Sequence, residues 1–126
     1  MIESDEQKDI VIIGSGLAGL SAAIEANQAG ASVIVFEKMN VTGGNTRISD
    51  GAVAAPNSYL QKKRGIEDSP ELFYEDMLRA GLGLNHPDLI KALAEKATKA
   101  IDWTRDMLGV KYLDRLDRFG GLQPKA

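Results

Sequence analysis

Two short, continuously apolar runs and two longer helical stretches divide the chain. Ile10-Val11-Ile12-Ile13 is unbroken and β-branched, the pattern of a parallel strand buried on both faces. From Leu17 the apolar spacing changes to three and four residues, through Leu20, Ala23 and Ile24, which predicts a helix. Gly30 stands where a left-handed residue would end that helix. Val33-Ile34-Val35-Phe36 predicts a second buried strand, and two parallel strands need a helical crossover of this kind between them. The expected order is strand, glycine turn, helix, strand, acid.

Beyond Phe36 the pattern breaks. Lys38 to Asn57 reads as irregular, with Gly43-Gly44, Gly51 and Pro56 in it. Loops longer than roughly 12–15 residues in a compact domain are usually functional or disordered. After Tyr59 the chain turns to helix and polar loop. Ser69-Pro70-Glu71 supplies a capping hydroxyl and a proline at the first helical position, Leu72, Phe73, Met77 and Leu78 form an apolar face, and Gly81 closes the helix. A second start at Asn85-His86-Pro87-Asp88 opens a stripe of Ile90, Leu93, Ala94, Ala97, Ile101, Thr104 and Leu108, stopped by Gly109. Val110 to Leu113 reads as a short strand or extended segment, and Leu116 to Ala126 as irregular around Phe119-Gly120-Gly121. The polar residues 1–8 read as a disordered leader. The fold class is therefore α/β: a Rossmann-like βαβ unit with an incomplete parallel sheet, then a mostly helical segment.

Composition narrows the class without changing it. A length of 126 residues leaves room for one domain, and 44% hydrophobic with 26% charged residues is ordinary for a globular protein. A net charge of −3 without a basic block speaks against a nucleic-acid partner. No apolar run approaches the roughly 20 residues that span a bilayer. The absence of cysteine excludes disulfides, thiolate catalysis and cysteine-ligated metal, and leaves the compartment open.

The chemistry is concentrated around the first turn. Gly14-Ser15-Gly16-Leu17-Ala18-Gly19 has the GxGxxG form. Gly14 permits the tight exit from the strand, Gly16 lets the backbone approach a pyrophosphate, and Gly19 allows close helix–strand packing. The helix that follows points N–H groups and a partial positive charge at phosphate. Glu37, eighteen residues after Gly19, ends the second strand where a carboxylate can accept hydrogen bonds from both ribose hydroxyls and would repel a 2′-phosphate. Lys38 lies beside it. Gly43, Gly44, Asn45 and Thr46, then Ser49, Asp50, Gly51 and Ala52, combine close-approach glycines with small hydrogen-bonding side chains. Glycine turns, strand-end acids and polar loops each also arise from chain geometry alone; their coincidence in this order points to a dinucleotide.

Taken with the residues that follow, the chain resembles the N-terminal part of the fumarate reductase/succinate dehydrogenase flavoprotein family, in its soluble flavocytochrome c and urocanate reductase branch. The resemblance is carried by DIVIIGSGLAGLSAA, VFEKMNVTGGNTRISDG, GIEDSPELFYEDMLRAG, NHPDLIKALAEKATKAIDWTRDMLGV and the FGG at 119–121. It implies FAD, with Glu37 on the adenosine ribose, Ala18 and its neighbours on the pyrophosphate, and Asn45, Thr46 and Gly51 towards the flavin ring. It implies one FAD-binding domain from residue 9 onward, with the βαβ unit and FAD loop in 9–57 and the helical segment in 58–126. It further implies reduction of the C=C bond of a fumarate- or urocanate-like unsaturated carboxylic acid, with a haem or flavin module as electron donor.

Departures from the family pattern sharpen these expectations. The membrane-bound succinate dehydrogenases carry flavin on a loop histidine; Asn45 stands at the matching position, which implies non-covalent FAD. The lone histidine, His86, falls in a helix start and reads as a capping or surface residue. Leu122-Gln123-Pro124-Lys125 departs from the family's residues after FGG. The family's catalytic histidine and arginines lie in capping and C-terminal FAD-domain parts that nothing here matches, so no catalytic residue is assigned. Arg47, Arg105, Arg115 and Arg118 read as solvated charge. Two other readings remain open on sequence: an NAD-dependent Rossmann dehydrogenase, and a truncated binding or assembly module without catalysis.

Overall fold

A computed structural model describes residues 7–117. The chain divides between Ala52 and Val53 into two compact units. In the first, strand β1 (Ile10–Ile13) leads to helix α1 (Leu17–Gln28) and on to strand β2 (Val33–Phe36). The strands pair in parallel, Ile10 opposite Val33 through Ile13 opposite Phe36. Asp9 and Ser32 tie the strand entrances together: Ser32 donates from its N–H (2.8 Å) and its hydroxyl (2.7 Å) to Asp9 Oδ2. These bonds lower the Asp9 carboxyl pKa, the Ser32 hydroxyl most of all.

Helix α1 packs on both strands. Leu20, Ala23, Ile24 and Asn27 meet Val33 and Val35 around a recess of about 370 Å³. Because strand side chains alternate faces, Ile10 and Ile12 share that side with Val33 and Val35. Here the expectation of strands buried on both faces fails. On the opposite face Val11 is 56% exposed, Ile13 81% and Phe36 53%. The physical reason is layer number: among the described residues of this unit one helix covers one face, and both strands are edges.

The long segment after β2 is less irregular than its sequence suggests. Gly44–Ile48 form a 3-10 turn, entered through Gly43 in the left-handed region at φ 105°.

In the second unit, α2 (Tyr59–Lys63) is a short helix fixed by a reciprocal cap. Gln61 N–H donates to Ser58 Oγ, and Gln61 Oε1 accepts from Ser58 N–H at 2.9 Å. Helix α3 (Pro70–Ala80) starts as expected, with Ser69 Oγ accepting from Leu72 N–H at 3.1 Å. Helix α4 (Pro87–Asp106) packs against α3. Ile90, Ala94 and Ala97 are buried, as is Leu60 of α2, and Leu72, Phe73, Met77 and Leu78 are half-buried. Leu93 and Leu108, expected on the same stripe, are 48% and 42% exposed. Residues 110–113 form no strand. Tyr112 and Asp114 nevertheless anchor this segment, through Tyr112 OH with Thr104 Oγ1 at 2.6 Å and Asp114 with Lys63 and Arg64.

The join between α3 and α4 is built on a shared space. Gly81, with φ −80°, has no conformational need for glycine. A Cβ there would stand 1.6 Å from Asn85 Oδ1, because the Asn85 side chain fills the place and its Nδ2 donates to Met77 O at 3.2 Å. The residues of the expected leader up to 6, together with Arg118, the FGG at 119–121 and 122–125, lie outside the described residues.

Candidate functional site

At the carboxyl ends of β1 and β2 opens a cleft of about 700 Å³, lined by Ile13, Gly14, Gly16, Phe36, Glu37, Lys38, Met39, Val41, Gly44 and Asn45. The turn that makes it obeys the geometry its sequence implies. Gly14 leaves β1 at φ 96°, a left-handed conformation that side chains disfavour, and its N–H donates to Phe36 O at 2.7 Å. Gly19 is demanded by close approach: a Cβ would lie 2.0 Å from Gly14 O. A Cβ on Gly16, by contrast, meets nothing within 4 Å, so the backbone there is open to close approach from the cleft.

Gly16 is the N-cap of α1 and offers no side-chain acceptor. The acceptor comes from the loop instead, as Thr46 Oγ1 takes the Leu17 N–H at 3.3 Å. Leu17 and Ala18 form the exposed first turn, whose N–H groups lack intrahelical acceptors by construction.

Ser15 lies beneath the turn, 1% exposed. Its hydroxyl donates to Glu37 Oε2 at 2.6 Å, its N–H donates to the same oxygen at 2.9 Å, and its Oγ accepts from Gly43 N–H at 3.1 Å. Met39 N–H donates to Glu37 Oε1 at 2.9 Å. These donors hold the Glu37 carboxyl down to about 2 from an ordinary 4.5; the Ser15 hydroxyl contributes most, then the Met39 and Ser15 amides. Glu37 is thus an anion at any physiological pH, fixed at the lip of the cleft.

The structure gathers Gly14, Gly16, Glu37, Lys38, Gly44 and Asn45 at the cleft, with Ser15, Gly43 and Thr46 supporting it from behind. It does not bring Ser49, Gly51 or Ala52 there. Ser49 Oγ donates to Thr46 O, Gly51 turns at φ 77°, and Ala52 N–H closes onto Asp50 Oδ1, all exposed. Sequence reasoning passed over Ile13, Phe36, Met39 and Val41, which give the cleft apolar surface suited to a flat ring. The signal was present in the apolar residues on either side of Glu37. His86 is the exposed N-cap of α4, and its side chain makes no capping bond. Arg105 pairs with Asp102 and Asp106 and covers the Tyr59 ring, and Arg115 pairs with Asp117.

Comparison with known proteins gives this geometry its context. A family profile described as FAD binding domain matches residues 9–126. The urocanate reductase of Eggerthella lenta is 42% identical over 113 residues, 90% of this chain and 19% of that protein. The acrylate reductase flavoprotein subunit of Shewanella woodyi is 42% identical over 121 residues, 95% of this chain and 24% of its own. Among solved structures, the open conformation of a flavocytochrome c3 fumarate reductase superposes with a TM-score of 0.84 at 36% identity, covering 96% of this chain and 21% of that one. The chain thus spans about a fifth to a quarter of the length of these relatives.

Proposed function

The chain belongs to the FAD binding domain family, and from that premise we propose that the cleft at the ends of β1 and β2 seats the adenosine–pyrophosphate part of FAD without a covalent bond. The observation that carries this is the fixed Glu37 carboxylate at 2.6 Å from Ser15, directly beside a glycine turn whose Gly16 has no obstruction on its open side. The residues present fit the group. Glu37 is an acceptor for ribose hydroxyls, the first turn of α1 directs N–H donors and a partial positive charge at phosphate, and Met39 and Val41 offer apolar surface to adenine. Asn45 stands where the membrane-bound relatives carry the flavin-tethering histidine, and its amide cannot form that bond. On this reading residues 9–126 are the N-terminal part of one FAD-binding domain, although Ser49, Gly51 and Ala52 would have to be drawn in by the rest of the cofactor.

Similarity to reductases of urocanate, acrylate and fumarate extends the proposal to a whole protein that reduces the C=C bond of an unsaturated carboxylic acid. In that setting a capping domain and further FAD-domain elements supply the acid-binding and proton-donating groups, and a haem or flavin module supplies electrons. When bound, FAD supplies hydride chemistry that no side chain can. This chain's own share is binding, orientation and a fixed negative charge.

The test is titration of the chain with FAD, followed by flavin fluorescence. Saturable binding is expected, with flavin released intact on denaturation and binding weakened in Glu37→Ala. Failure of the chain to bind FAD, or flavin retained after denaturation, overturns the reading.

A further inference from the structure

Among the described residues that line the cleft, Met39 alone carries a readily oxidised side chain. Its backbone is fixed, since its N–H donates to Glu37 Oε1 at 2.9 Å, while the residue stays 60% exposed. Two other methionines are described. Met77 on α3 is half-buried, and Met107 is 58% exposed at the end of α4 but lines no part of the cleft. Met39 and Met107 are thus equally open to a small oxidant. Only Met39 stands where a bound molecule would cover it and where its chemistry would bear on binding.

A thioether is apolar and polarisable and packs well against a ring, whereas its sulfoxide is polar and chiral. A sulfoxide oxygen pressed under a ring is taken out of water with no donor to receive it. We propose that Met39 is a peroxide-sensitive modification site of the cofactor cleft: hydrogen peroxide oxidises it when the cleft is empty, and the sulfoxide lowers the affinity for FAD. The Met39 sulfur attacks one peroxide oxygen, the O–O bond breaks as the S–O bond forms, and the other oxygen leaves as water with both protons. Sulfur is oxidised by two electrons and peroxide is reduced by two. The proposal rests on the FAD reading above and adds regulation to it.

The full chain is treated with hydrogen peroxide, with and without saturating FAD in the dark. Freed of both reagents, it is mapped by peptide mass spectrometry and titrated with FAD by fluorescence. Met39 is expected to gain one oxygen in the empty chain, and FAD to shield Met39 but not Met107. The oxidised chain should bind FAD about tenfold more weakly. Met39→Leu should keep after peroxide the affinity it had before, while Met107→Leu loses affinity as the unaltered chain does. Methionine sulfoxide reductases should restore binding in oxidised Met107→Leu as the Met39 sulfoxide disappears. Failure of Met39 to oxidise in the empty chain overturns the proposal, as does equal affinity before and after its oxidation. A loss that persists in Met39→Leu, or oxidation of Met39 undiminished by FAD, overturns it equally, and each of these leaves FAD binding in place. Failure of the untreated chain to bind FAD overturns the FAD reading and this inference with it. Should Met39→Leu fail to fold, the reductase experiment decides, since a loss that outlasts the Met39 sulfoxide also overturns the proposal.

Discussion

Three glycines of one turn answer to different physical demands, and single substitutions separate them. Gly19→Ala places a methyl 2.0 Å from Gly14 O, a backbone atom that cannot swing aside. It should destabilise the first unit by roughly 1–3 kcal/mol, measured by urea unfolding. Gly16→Ala meets no atom within 4 Å, so its unfolding midpoint should stay close to that of the unaltered chain while FAD titration shows weakened binding. Glu37 gives a pH dependence of definite sign. Its folded pKa, about 2, lies below the ordinary 4.5, so its stabilising contribution is complete above pH 4.5 and is lost as pH falls towards 2. Unfolding measured across that window should show stability declining on acidification, with a shallower decline in Ser15→Ala. Residue types at the turn were legible because GxGxxG encodes backbone constraints. The Ser15–Glu37 contact was not, because it joins residues 22 apart through a geometry that only the folded turn creates.

Elements were legible where a terminus carries its own chemistry. Ser69-Pro70 announced α3 and Pro87 announced α4, since a capping oxygen and a preset φ act locally. Ser69→Ala should therefore cost about 1 kcal/mol in chemical unfolding, and Ser69→Asp, which keeps an acceptor for Leu72 N–H, should recover most of it. The 3-10 turn at Gly44–Ile48 was hidden because its entry depends on a left-handed Gly43 and a bond to Ser15, neither of which leaves a periodic pattern. Apolar runs gave β1 and β2 their positions but misled on burial, since periodicity reports which face could be covered and not whether a second layer is there. Leu93 illustrates the same limit on α4: it lies one step off the line of Ile90, Ala94 and Ala97 and stays exposed.

At the scale of the whole molecule, the division between Ala52 and Val53 coincides with an exposed stretch, Ser49 to Ala54. Limited digestion with proteinase K should cut there before it cuts within α1 or α4, as mass spectrometry of early fragments would show. Cofactor binding should register globally as well. At a hundredfold excess over its Kd, FAD adds about 2.7 kcal/mol to the stability of whatever folds with it. Hydrogen exchange should then slow most at the amides of the α1 turn and of the segment after β2. The order of elements that frames the cleft could be read from the chain, whereas its apolar lining by Ile13, Phe36, Met39 and Val41 depended on how the strand ends meet.

The space shared by Gly81 and Asn85 has a bearing on substitution. Any side chain arriving at position 81 collides with Asn85, while a smaller residue at position 85 first vacates the room and surrenders only one bond to Met77. The two positions are therefore coupled, and a residue larger than glycine at 81 must displace the Asn85 side chain from its bond to Met77. Changes at 81 and 85 should therefore be non-additive in stability, which a double-mutant cycle at the two positions measures.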